Sequence, residues 1–288
     1  MTFSDGRKQL PVVLPPVPDE LLSSWIARHA GFYCVSPQAM LRHAVPNARS
    51  LKAADDHLTD EQVGLLAHIF RRETSEIRRM TFANTPISAR RLVTAKAIQT
   101  CSTCATRNER ADATAAVLRS WHQAWRIVCP VCANPLSAAG QGSGAERGDG
   151  PPSLVHPNDA LKGERLLENY SERGVQTWVS PIDLLRLLLI RRDPKPIDPD
   201  HWIETPKILD LVVPGFDRLV AETGATIPTA DRPILPLSLR PTLLAGVAIL
   251  ERSGPKSIVE LHSRTIGPHH AYFGKIVADI LTSNKPHT

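Results

Sequence analysis

Apolar residues recur at helical spacing over most of the chain. In "DELLSSWIARHAGF" (19–32), Leu21, Leu22, Trp25, Ile26, His29 and Ala30 fall on one stripe, with Asp19 where a capping side chain belongs. The pattern predicts a short amphipathic helix carrying Trp25 on its apolar face. "SPQAMLRHA" (36–44) predicts a second, with Ser36 as cap and Pro37 at the first helical position. Thr59 and Gln62 stand in capping-box spacing ahead of Val63, Leu65, Leu66, Ile69 and Phe70, and another short helix restarts at Thr74 or Ser75 with Ile77 and Met80 inward. Helix, tight turn and helix over 58–82 is the outline of a helix-turn-helix unit.

Two stretches break the periodicity. Residues 10–18 hold four prolines in nine positions and must be extended chain. Residues 137–152 hold five glycines between Gly140 and Gly150 and read as a flexible linker. Beyond it the helical pattern returns at 180–193, 205–222 and 240–254, and 254–281 reads as two helices joined at Gly267-Pro268. The last three helices outline a second helix-turn-helix-like unit, with His262, Arg264, His269, His270 and Lys275 near a polar face. A plain helical interaction domain fits the same pattern.

The 288 residues, 42% of them hydrophobic, are enough to build real cores, and no apolar run reaches the roughly 18 residues needed to span a bilayer. The N-terminal "MTFSDGRKQLPVVLPPVPDE" lacks the features of a secretory signal, so an intracellular, reducing compartment is expected. Net charge is +5, from 34 basic and 29 acidic residues, but it is uneven. Between Arg71 and Arg126 eleven basic residues face four acidic ones. Within that block Arg71, Arg72, Arg78 and Arg79 sit at and after the helix-helix turn, where they can meet a phosphate backbone. Arginines serving local ion pairs on a solvated surface explain the block equally well.

Four of the five cysteines form two Cys-x-x-Cys pairs, Cys101/Cys104 and Cys129/Cys132, separated by 24 residues. Two residues between thiolates let both reach one ion from a tight turn, and two such knuckles complete a tetrahedron. In a reducing compartment this favours structural Zn2+ over disulfides, and no βαβ unit accompanies the pairs to suggest thioredoxin-type chemistry. His122 is expected in a packing or surface role, and Cys34 as a small core residue. No phosphate-cradling glycine loop, Ser/His/Asp pattern, His-Glu-x-x-His or two-metal acidic cluster is present, so nothing argues for an enzyme. The predicted fold class is mainly α, with small helix-turn-helix-like modules around a zinc ribbon or knuckle. The expected divisions are an N-terminal helical domain (1–95), a four-cysteine region (96–136), a linker (137–152) and a C-terminal helical domain (153–288).

Pro18, Asp19, Glu20, Leu21, Leu22, Ser23, Ser24, Trp25 and Arg28, followed later by Cys-x-x-Cys, Trp125 or Arg126 and Cys129-Pro130, resemble the TniQ/TnsD family of transposition proteins over about residues 10–136. In that family the last knuckle usually reads Cys-Pro-x-His; here Cys132 stands in place of the histidine and is an equivalent ligand. The resemblance implies a non-enzymatic adaptor in a bacterial cytoplasm, at the nucleoid, that helps choose a transposon's insertion site. It would contact DNA or an RNA-guided targeting complex, recruit an AAA+ ATPase regulator and the transposase, and work as a monomer or homodimer. A protein–protein scaffold without DNA affinity of its own is the competing reading.

Overall fold

The computed structural model describes residues 8–111, 115–140, 154–192, 206–224, 228–234, 236–267 and 270–283. It is mainly α-helical and divides into two compact units, residues 1–85 with 93–140, and residues 86–92 with 141–288. No helix among the described residues is long and apolar enough to cross a membrane.

In the first unit, α1 (Leu22–Phe32), α2 (Pro37–Ala44), α3 (Leu51–Asp56), α4 (Asp60–Ile69) and α5 (Thr74–Arg79) enclose a core of Leu22, Trp25, Ile26, Leu41, Leu66, Ile69, Phe70 and Ile77. Ser36 caps α2 by accepting from the Ala39 N–H, and Thr59 and Gln62 form a reciprocal capping box on α4. Asp19 is not the cap the sequence suggests. It lies three residues before α1 at φ +62°, a left-handed conformation that aspartate tolerates better than most residues, and its carboxylate accepts from the Ser120 N–H at 3.0 Å. Helix α3 was not foreseen, because "LKAADD" carries no apolar stripe of its own.

The four-cysteine region does not stand apart from these helices. The Leu21 N–H bonds to the Val117 carbonyl, the Val117 N–H to Ser24 Oγ and the Arg119 N–H to the Asp19 carbonyl, so segment 117–120 lies along the entry to α1. This backbone pairing is why residues 93–140 share a unit with 1–85 rather than forming the separate 96–136 region the sequence suggested.

In the second unit α6 (Ile87–Arg90) bonds through the Ser88 hydroxyl to Tyr170. Between these parts of the chain the first unit adds β1 (Gln99–Thr100), α7 (Ser102–Ala111), a 3-10 turn (Arg119–His122) and β2 (Ser137–Ala138). The second unit continues with α8 (Pro157–Arg173), α9 (Pro181–Leu188), α10 (Leu209–Val212), α11 (Phe216–Thr223), α12 (Arg240–Ser253), α13 (Pro255–His262) and α14 (His270–Ser283). Helix α12 is its axis, with Leu243, Leu244, Ala245, Gly246, Val247, Ala248 and Leu250 buried and α8 and α9 packed on it. Helix α8 shows no apolar stripe in the sequence because its buried face, Ala160, Gly163, Glu164, Leu167 and Ser171, holds one large apolar side chain, Leu167. The helical pattern over 205–222, with its internal Pro-Gly break, folds as two helices, α10 and α11, separated at Pro214-Gly215. Of the expected linker, residues 137–140 are described, in β2 and a turn, and 141–152 lie outside the described residues.

Candidate metal centre and the motif that supports it

Strand β1 leads into Cys101, and β2 follows the second knuckle. Their antiparallel pairing, Gln99 with Ala138 and Thr100 with Ser137, brings both knuckles to one place. Cys101 and Cys104 open α7, where the Ala105 N–H bonds to the Cys101 carbonyl at 2.8 Å. The second knuckle is a tight loop closed by the Cys129 N–H to the Asn134 carbonyl and the Ala133 N–H to the Cys129 carbonyl, both 2.8 Å, with Ala133 at φ +60°. Asn134 Nδ2 donates to Thr103 Oγ1 at 2.9 Å and ties one knuckle to the other.

The four sulfurs lie within 4.8 Å of one another. Cys101–Cys132 is 3.4 Å, and Cys104–Cys129 and Cys104–Cys132 are 3.7 Å each. A tetrahedron with Zn–S bonds of about 2.3 Å has edges of about 3.8 Å, whereas a disulfide needs about 2.05 Å, so the spacing suits four thiolates around one ion and no disulfide. Cys101, Cys104 and Cys129 are buried and Cys132 is partly exposed. Burial pushes the Cys101 and Cys104 thiols up, and the neighbouring sulfurs push Cys104 further. A cation at the centre removes that penalty by neutralising the thiolates. The donor set is closed, with no place for a substrate, which is the pattern of structural rather than catalytic zinc.

His122 takes no part. Its Nδ1–H donates to the Thr94 carbonyl at 2.9 Å, and burial lowers its pKa. Cys34, expected in the core, is exposed at φ +54° just past α1, where the turn rotates its side chain outward.

The proline-led motif is a clamp. Glu20 is buried and accepts from the Val17 N–H at 2.8 Å, from Ser24 Oγ at 3.2 Å and from Arg28 Nη1 at 2.8 Å. Arg28 also donates to the Pro15 carbonyl, and Trp25 Nε1 to the Leu14 carbonyl at 3.0 Å. The Leu14 N–H donates to His29 Nε2, so the neutral ring carries its proton on Nδ1 and donates it to the Trp25 carbonyl. A proline segment cannot form a ladder, and the side chains of α1 satisfy its backbone groups instead.

The four arginines do not act alike. Arg71, at φ +48°, uses Nη2 to bind the Leu10 and Pro11 carbonyls, each at 2.8 Å, and so holds the start of the same proline segment. Arg78 pairs with the exposed Asp60, Arg79 folds back on Ser75, and Arg72 is half-buried. Farther along the basic block, Arg119 and Arg126 are buried, Arg119 over the Phe82 ring and Arg126 on Gln123. In the second unit His262 and His270 stack with ring centroids 4.4 Å apart, Arg264 and Lys275 are exposed, and His269 lies outside the described residues.

No curated protein and no solved structure matches the chain. The family model described as TniQ matches residues 11–134, a span that starts in the clamped proline segment and ends just past the second knuckle. Residues 11–134 are thus similar to a TniQ domain, and the family match extends over this part of the chain alone.

Proposed function

We propose that the chain is a non-enzymatic, zinc-holding adaptor in DNA transposition. In this reading it helps select the insertion site by linking target DNA or a targeting complex to an AAA+ ATPase regulator and the transposase. The family match carries the reading, since its span coincides with the clamp and the cysteine site. The sulfur spacing supports Zn2+ as the ion: Cys101, Cys104, Cys129 and Cys132 would hold it, and it would supply folding energy, not reactivity.

For DNA contact, Arg78 and Arg79 are the best placed of the four arginines. The Arg78–Asp60 pair is exposed on the acid's side and weak enough for a phosphate to displace the carboxylate. Arg72 offers a partial guanidinium, and Arg71 belongs to the fold. The Arg78→Ala/Arg79→Ala variant should bind DNA more weakly, with the slope of log K against log salt lower by about 2, one unit for each lost phosphate contact. Unaltered binding in that variant would leave the scaffold reading. That second reading draws support from the internal use of Arg71, Arg119 and Arg126, which divides the basic block, and from exposed Val12, Phe32 and Val35 near the end of α1.

A further inference from the structure

We propose that Arg107 is a positioning residue for the metal centre, its guanidinium offsetting the charge of the metal-bound thiolates; the inference rests on the zinc reading above. Four thiolates around Zn2+ carry a net charge of about −2, which makes the sulfurs strong nucleophiles and attractive to competing electrophiles. Arg107 lies three residues after Cys104 on α7, on the same helical face, and its Nη2 is 3.6 Å from Cys104 Sγ. The side chain is largely exposed while the sulfur it reaches is buried, so the guanidinium covers the thiolate from the solvent side. The Cys104 N–H serves Cys101 and the Asn134 N–H serves Cys132 as neutral backbone donors, whereas Arg107 brings a full positive charge. A charge-assisted N–H···S contact draws electron density from Cys104, lowers its reactivity and slows loss of the ion.

The test compares the full chain with Arg107→Gln and Arg107→Lys. Zinc release to a chromogenic chelator is timed at neutral pH, and the sulfur-to-metal charge-transfer band is recorded after loading with Co2+. Because Arg107 is exposed, both variants should keep the wild-type circular dichroism. Arg107→Gln should release zinc about tenfold faster, with the band shifted to lower energy, and Arg107→Lys should recover most of the difference. Wild-type release and spectrum in both variants would overturn the proposal, as would equally fast release from both, since charge would then not be the cause. A wild-type chain that binds neither Zn2+ nor Co2+ would instead overturn the zinc reading itself.

Discussion

Asp55 shows how a single side chain reports the packing around it. Its carboxylate accepts from the Ser23 N–H at 2.8 Å, and burial raises its pKa from 3.8 to about 7. The folded state therefore holds the proton more tightly than the unfolded one, so this group's contribution is favourable below about pH 4 and is lost as pH rises toward 7. Asp55→Asn keeps an acceptor for Ser23 and cannot ionise. It should raise the unfolding temperature relative to wild type at pH 8 and do so much less at pH 5; equal destabilisation at both would mean that the carboxylate is needed ionised. Burial raises the pKa of Glu20 as well, in spite of its buried pair with Arg28. The sequence displayed both residues, but only the position of Glu20 in a motif marked it as special, and nothing local showed that Asp55 is buried.

At the scale of elements, α8 and α12 approach so closely that a Cβ on Gly163 would lie 1.9 Å from the Leu244 carbonyl oxygen. Gly163→Ala must push the helices apart and should cost about 1–3 kcal/mol, read by denaturant unfolding of the full chain. An unchanged midpoint would contradict the close approach. This contact also marks the limit of periodicity: α1, α2 and α4 announced themselves by apolar stripes, α2 and α4 by their caps as well, whereas α3 and α8 did not. Helix α3 is short, and α8 buries a face in which Leu167 is the one large apolar side chain and Gly163 matters only because a partner helix lies against it. The two-residue strands β1 and β2 fall below what alternation can signal, although they bring the knuckles together.

At the scale of the molecule, the cysteine spacing was legible in the sequence and the fate of the arginine block was not. Cys-x-x-Cys spacing encodes local geometry, so 101/104 and 129/132 could be read as a site before any fold was known. Charge counted along the chain does not encode where each guanidinium points, and folding turned Arg71 onto the proline segment and Arg119 and Arg126 inward. The family motif was legible as a likeness, but its physical work as a clamp for an extended segment needed the structure. Segment 117–120 pairs with the entry to α1, so loss of metal should propagate from the knuckles to the N-terminal helices. Structural zinc contributes on the order of 10 kcal/mol, comparable to the whole stability of a domain. The most direct measurement is the metal content of the purified chain by elemental analysis, beside the Cys129→Ser/Cys132→Ser variant, with helicity followed by circular dichroism. The account predicts one zinc per chain in the wild type, absent from the variant together with part of its helicity. A wild-type chain free of metal, with all four thiols reactive and its helicity equal to that of the variant, would contradict it.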